Sequence, residues 1–212
     1  MRFALSHTGL QARPRGRTRR LALEIAERIV AVEGVGGLRL KKIADEIGIQ
    51  TPSLYKHFDG REAILRALSE KYVADLATQF DFDELSDPQE VLIRGVRSIV
   101  ELYALHPAWT RLQMRDYSSA EGVEALSRYT GGLEKVATEG PLKGFATRVR
   151  EILQEGARIG VFREVFVADF INVLLGSLSF KIVWLGGKVP PKKEIERLQD
   201  MMEDVVLRFV RP

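Results

Sequence analysis

The chain has 212 residues, 45% apolar and 29% charged, which is enough for a sizeable core in one large domain or a small domain joined to a larger one. It contains no cysteine, which excludes a disulfide framework and thiolate chemistry and fits a reducing, cytoplasmic setting. The net charge of +3 is unevenly spread: residues 1–60 hold 11 Lys/Arg against 6 Asp/Glu, residues 61–212 hold 21 against 23. A basic first third fits a polyanionic partner, and it equally fits a solvated basic tail.

Residues 1–17 lack apolar periodicity and hold Gly9, Pro14 and Gly16, the composition of a flexible basic arm. With Arg2, His7, Arg13 and Arg15 and no apolar run behind them, they do not read as a secretory signal. From Arg19 onward Leu21, Ile25, Ile29 and Val32 recur at helical spacing, and Glu24 stands four residues before Arg28, a favourable helical pair. Gly34 to Gly37 ends this helix. Leu40 to Ile47 is a second, short helix with Ile43 and Ile47 inward and the small Ala44 beside them. Gly48 follows where a helix ends in a left-handed residue. Thr51 is placed to cap a third helix and Pro52 to take its first position, where the missing N–H costs nothing. Leu54 and Phe58 share one face of it. A fourth, longer helix runs from Arg61 through Ile64, Leu65, Leu68, Tyr72 and Leu76.

Further helices are expected near 89–105, 107–116, 119–138, 142–159, 167–186 and 192–210. They are separated at Pro107, Ser118-Ser119, Gly140-Pro141, Gly160, and Gly186-Gly187 through Pro190-Pro191. No period-2 stretch of strand length occurs, and Val161 to Val167 reads as loop, so the expected fold is all-α. The most apolar segment, Phe170 to Leu185, is interrupted by Asn172, Gly176 and Lys181. It is shorter than the ~20 residues of a spanning helix and reads as a helix buried on most sides.

Two short helices joined by a glycine turn form a helix-turn-helix pattern. Ala44 is small where the helices cross, and Ile49 and Leu54 pin the second helix to the first. That leaves Thr51, Pro52, Ser53, Tyr55, Lys56 and His57 on outward or flanking faces, a donor-rich set suited to a DNA groove. The stretch Gly37-Leu-Arg-Leu-Lys-Lys-Ile-Ala-Asp-Glu-Ile-Gly-Ile-Gln-Thr-Pro-Ser-Leu-Tyr-Lys-His-Phe-Asp-Gly-Arg-Glu-Ala-Ile-Leu65 resembles the DNA-binding domain of TetR-family transcription regulators, over about residues 18 to 66.

The resemblance implies an N-terminal three-helix helix-turn-helix DNA-binding domain at 18–66 and a C-terminal helical ligand-binding and dimerisation domain at 67–212. It implies that Thr51, Pro52 and Ser53 meet base edges or adjacent phosphates, that Tyr55 and His57 hold phosphates, and that Lys41 and Lys56 reach a base or phosphate. Arg61 stands where the family usually has Lys and would hold a phosphate as a fork. Two positions depart from the family: Gly60 takes the capping place where Ser or Asn is common, and Pro52 replaces a small or basic residue. Arg13, Arg15, Arg17, Arg19 and Arg20 could follow the DNA backbone or enter the minor groove, or serve only as a solubilising tail.

In the family the middle helices line an effector cavity. The large residues here are Tyr103, His106, Trp109, Leu112, Met114, Tyr117 and Phe145, which imply a mainly hydrophobic, aromatic or acyl effector; each serves equally as plain core. In the family the last two long helices pair with their copies, which implies the same homodimer here. No enzyme is expected. His7, His57 and His106 are far apart, no metal-ligand spacing or phosphate-cradling loop occurs, and no cofactor is implied. The expected function is that of a regulator, a repressor released from a palindromic operator by its effector. The alternatives are an effector-independent architectural DNA binder and an all-α small-molecule carrier or enzyme.

Overall fold

The computed structural model of the protein describes residues 15–80, 87–118 and 143–212, and the expected helix at 119–138 lies outside them. Numbered through these residues, the helices are α1 (Arg15–Glu33), α2 (Leu40–Ile47), α3 (Thr51–Leu54), α4 (Gly60–Ala77), α5 (Pro88–Leu105), α6 (Pro107–Ser118), α7 (Lys143–Arg158), α8 (Val167–Trp184) and α9 (Lys192–Val210). A 3-10 turn, Val35–Gly37, links α1 to α2. Among the described residues there is no strand.

α1 starts four residues before the expected Arg19 and buries a different face from the one its large residues suggest. Ala22, Ala26, Ile29 and Val30 are buried, whereas Leu21 and Ile25 are only half-buried and Val32 is 59% exposed. The small alanines let α1 lie close against α2, α4 and α6. Arg28 also chooses a tertiary partner over the expected helical one. It pairs with Glu46 of α2, while Glu24 pairs with Arg20 at 3.6 Å.

Ile43, Ala44 and Ile47 of α2 are buried as their spacing predicts. Gly48 ends the helix at φ 75°, ψ 41°, the left-handed region that glycine enters without a Cβ clash. Its N–H donates to the Ala44 and Asp45 carbonyls, and the next N–H, of Ile49, returns to Ala44 at 3.0 Å. α3 begins at Thr51, so Gln50, not Thr51, occupies the cap position, Pro52 is in the first turn, and no side chain caps the helix. The helix proper closes at Leu54, and the N–H groups of His57 and Phe58 fold back onto the Leu54 carbonyl at 2.9 and 3.1 Å. Asp59 rather than Gly60 holds the cap position of α4, again without a side-chain bond.

α4 then runs unbroken through residue 66 into the body, with Ile64, Leu65, Leu68, Tyr72 and Leu76 buried along it. α5 is capped by Asp87, whose side chain accepts from the Gln89 N–H at 2.8 Å. α5 and α9 are held by Arg97, which reaches Asp200 and Glu203 at 2.9 and 2.8 Å over a shared apolar seam. α8 packs on α5, α6, α7 and α9 through Phe170, Ile171, Leu174, Leu178 and Ile182. It is the one described helix long and apolar enough to cross a membrane, yet it is not buried on most sides as its composition suggests. Phe180 and Trp184 are 64% and 85% exposed on its far side, beyond an equally bare Phe166.

Candidate nucleic-acid interface

Leu54 and Phe58 anchor the α3 segment, at 0% and 4% exposure. With these two inward, the tight turn after Leu54 carries the intervening residues outward. Pro52, Tyr55 and Lys56 are exposed, and Thr51, Ser53 and His57 flank them half-buried. Lys41 is exposed on α2, at the rim of a shallow groove shared with Arg39, Lys42, Asp45 and Glu46. Lys42 is held by Glu33 and Arg39 by the Gly36 and Leu38 carbonyls. Lys41 and Lys56 make no ion pair among the described residues, so their charge is available to a polyanion. Arg19 of α1 lies over the Phe58 ring, 5.1 Å from its centroid, and brings another cation to the edge of this surface.

Arg61 is placed differently from the other residues. Its Nη2 donates to the Val35 carbonyl at 2.8 Å and its Nη1 to Glu62 at 2.7 Å, so the guanidinium ties α4 to the 3-10 turn instead of facing outward.

Among the residues expected at an effector cavity, Tyr103, Trp109 and His106 gather in one aromatic cluster around Tyr72. Tyr103 and Trp109 are buried together, ring centroids 6.4 Å apart, with Tyr72 5.2 Å beyond Trp109. Phe145 is buried against Phe80 at 5.6 Å, Met114 is half-buried, and the Tyr117 side chain lies outside the described residues. His106, whose ring is 5.6 Å from that of Tyr72, also forms a junction with α1: its Nδ1 is 2.5 Å from Glu27 Oε1, and Lys71 Nζ is 3.8 Å from the other carboxylate oxygen. Burial alone would raise the Glu27 pKa, but His106, Tyr72 and Lys71 together hold it below the usual carboxylate range. Burial, reinforced by Glu27, pushes the Tyr72 hydroxyl far up, so it stays neutral.

Sequence reasoning missed this junction, because Glu27 and His106 are 79 residues apart and neither belongs to a motif. It also missed Arg111 on α6, whose Nε donates to the Ala31 carbonyl at 2.9 Å. Among the described residues no three His, Cys, Asp or Glu side chains gather as a metal site.

A glycine-turned pair of short helices, with a buried anchor pair below and a polar, cationic surface above, is a helix-turn-helix arrangement, whose outward face has the chemistry to meet a nucleic acid. Residues 22–68 match the family model described as bacterial regulatory proteins, tetR family. The chain is similar to the tetracycline repressor protein class A from transposon 1721 of Escherichia coli, 35% identical over 79 residues, 37% of this chain and 35% of that protein. It is also similar to the HTH-type transcriptional regulator EthR of Mycolicibacterium smegmatis, 30% identical over 104 residues, 47% of this chain and 48% of that protein. The matched stretches thus span less than half the length of either relative. The fold is similar to that of the TetR family transcriptional regulator PfmR from Thermus thermophilus, with a TM-score of 0.65 at 23% identity, covering 91% of this chain and 97% of that one.

Proposed function

We propose that the chain is a DNA-binding transcriptional regulator, a repressor that binds a near-palindromic operator as a homodimer and leaves it when a small, mainly hydrophobic effector binds the body. The observation that carries this reading is the outward set Pro52, Tyr55 and Lys56, flanked by Thr51, Ser53 and His57 and joined by Lys41, standing on the buried Leu54 and Phe58. Repression is what the tetracycline repressor's name states of that protein, and it comes to this chain by similarity.

The dimer is assigned to α8 and α9, because Phe166, Phe180 and Trp184 leave α8 with a bare apolar side that a second copy would cover. Two copies would set their α3 segments in successive major grooves, roughly 34–36 Å apart. The effector is assigned to the body around Tyr103 and Trp109. No charged side chain is buried among the described residues, which favours an uncharged ligand. Trp109 Nε1 is buried without an acceptor there, and Tyr103 and Ser179 both bond Gln113, so a neutral acceptor group on the ligand would be met.

The test is selection of bound sequences from a random DNA pool by the full chain, repeated with candidate effectors. Two inverted half-sites about one helical turn apart should be enriched, and an effector should abolish the enrichment. A pool that returns unenriched sinks the reading.

A further inference from the structure

The last carbonyls of a helix lack intrahelical partners and carry the negative end of its dipole. At the end of α1 the Val30 carbonyl accepts from the Gly34 N–H at 3.0 Å, and the Ala31 carbonyl accepts from Arg111 of α6 at 2.9 Å. The same Ala31 oxygen is covered from another direction by Gly187. A Cβ on Gly187 would lie 1.6 Å from that oxygen and 3.2 Å from the Arg111 Nη2. Gly187 also has φ 76°, so both space and backbone conformation demand glycine at this point. The other terminal nitrogen of Arg111 lies 3.8 Å from where a Cβ on Gly34 would stand.

Three stretches of backbone therefore meet around one guanidinium: the end of α1, the Gly34 turn that leads into α2, and the Gly186–Gly187 turn between α8 and α9. The first two lead into α2 and α3, which carry the proposed DNA-binding surface, and the third joins the helices assigned to the dimer. From this point the connections spread outward. Lys42 of α2 pairs with Glu33, two residues past Ala31, and Arg61 of α4 donates to Val35, one residue past Gly34.

We propose that Arg111 and Gly187 are the fixed point that sets where each helix-turn-helix stands relative to the dimer, and so determine which half-site spacing the protein reads. Arg111 is then a positioning residue for operator spacing and not a DNA contact. The inference rests on the regulator reading above and adds to it a residue-level determinant of spacing. A guanidinium fork suits the task because it can face several groups in fixed directions, which a lysine ammonium on a flexible stem does not. A backbone-to-backbone seat at Gly187 suits it because no rotatable side chain intervenes to absorb a displacement.

The experiment starts from the operator that the wild-type full chain selects, rebuilt with its spacer shortened by one base pair, unchanged, and lengthened by one and two. Affinities for this series and for DNA carrying a single half-site are measured for the wild type, Arg111→Gln, Arg111→Lys and Gly187→Ala. The expected result is that the variants keep the wild type's base preferences on the single half-site while discrimination between spacers falls roughly three- to tenfold. Arg111→Lys should be intermediate. Gly187→Ala should move the preferred spacing or flatten it further. If Gly187→Ala does not fold, Arg111→Gln, which asks nothing of the backbone, decides the matter. Arg111 variants that weaken every spacer equally, or leave the profile unchanged, overturn the proposal. A wild type that enriches no sequence at all overturns the regulator reading, and this inference with it.

Discussion

The helix-turn-helix and the body solve opposite problems with the same kind of element. In the first, small residues bring helices close: Ala22, Ala26 and Ala44 are fully buried beside aliphatics, and Phe58 is the only buried aromatic among its described residues. Ion pairs and backbone bonds at the rim, such as Arg28 with Glu46 and Arg61 with Val35, fix the angles, and the functional groups stay outside. The body does the reverse. Tyr72, Tyr103, Phe80, Phe145 and Phe170 fill its interior, and its unspent apolar surface lies on the outer side of α8. A surface that must fit a fixed double helix gains from a rigid, closely packed support. A body that, on the proposed reading, admits a ligand and a second copy gains from aromatic bulk, which presents large area at low entropic cost.

The sharpest way to break this contrast is at α8. Trp184→Glu should leave the chain folded, because that side chain is 85% exposed, yet yield a monomer in light scattering. Affinity for the full operator should fall roughly 10²–10⁴-fold, the loss of avidity when two sites are no longer linked, with single half-site binding unchanged. A variant that remains dimeric would remove α8 from the interface. The next largest effect belongs to the anchor under the recognition surface. Leu54→Ala removes a fully buried side chain and should cost about 2–5 kcal/mol in denaturant unfolding, with specific DNA binding lost in proportion. An exposed change such as Tyr55→Phe should leave stability within about 0.5 kcal/mol.

The same contrast explains what the sequence could disclose. Ala44, Gly48, Leu54 and Phe58 were legible because each acts through residues within a few positions of itself, where period and turn chemistry apply. The face of α1 was not. Large aliphatics at Leu21, Ile25 and Val32 outweigh Ala22 and Ala26 in any count of hydrophobicity, but close helix crossings select for smallness. Arg28 had a good local partner in Glu24 and took Glu46, a choice that only the tertiary arrangement makes. His106 read as a pocket residue because it sits among aromatics, and its link to Glu27 crosses 79 residues. The bare side of α8 looked like core because composition does not tell a buried apolar face from an exposed one.

That junction supplies a smaller prediction. The folded pKa of Glu27 lies below its ordinary value of 4.5, so its contribution to stability is full above that value and is lost as the pH falls through the lower folded one. Glu27→Gln should therefore lower the melting temperature at neutral pH, by an amount matching about 1.5–3 kcal/mol for a hydrogen bond to a charged group. The gap from wild type should narrow as the pH falls below 4.5. Parallel melting curves across that range would disprove the ionic role.

The smallest expected effect separates two cations that the family resemblance treats alike. Lys56 is exposed and makes no ion pair among the described residues, whereas Arg61 is committed to Val35 and Glu62. A lysine that neutralises one phosphate releases its condensed counterions, so Lys56→Ala should reduce the slope of log affinity against log salt by about 1 without shifting the unfolding midpoint. Arg61→Ala should do the opposite. It removes one of the two donors to the Val35 carbonyl, which keeps the Leu38 N–H at 3.2 Å, and should cost about 0.5–1.5 kcal/mol of stability, with the salt slope unchanged. If Arg61→Ala instead lowers the slope as Lys56→Ala does, the guanidinium leaves its internal partner for a phosphate on binding. The turn between α1 and α2 would then loosen as DNA is engaged, in the same place where Arg111 and Gly187 hold it.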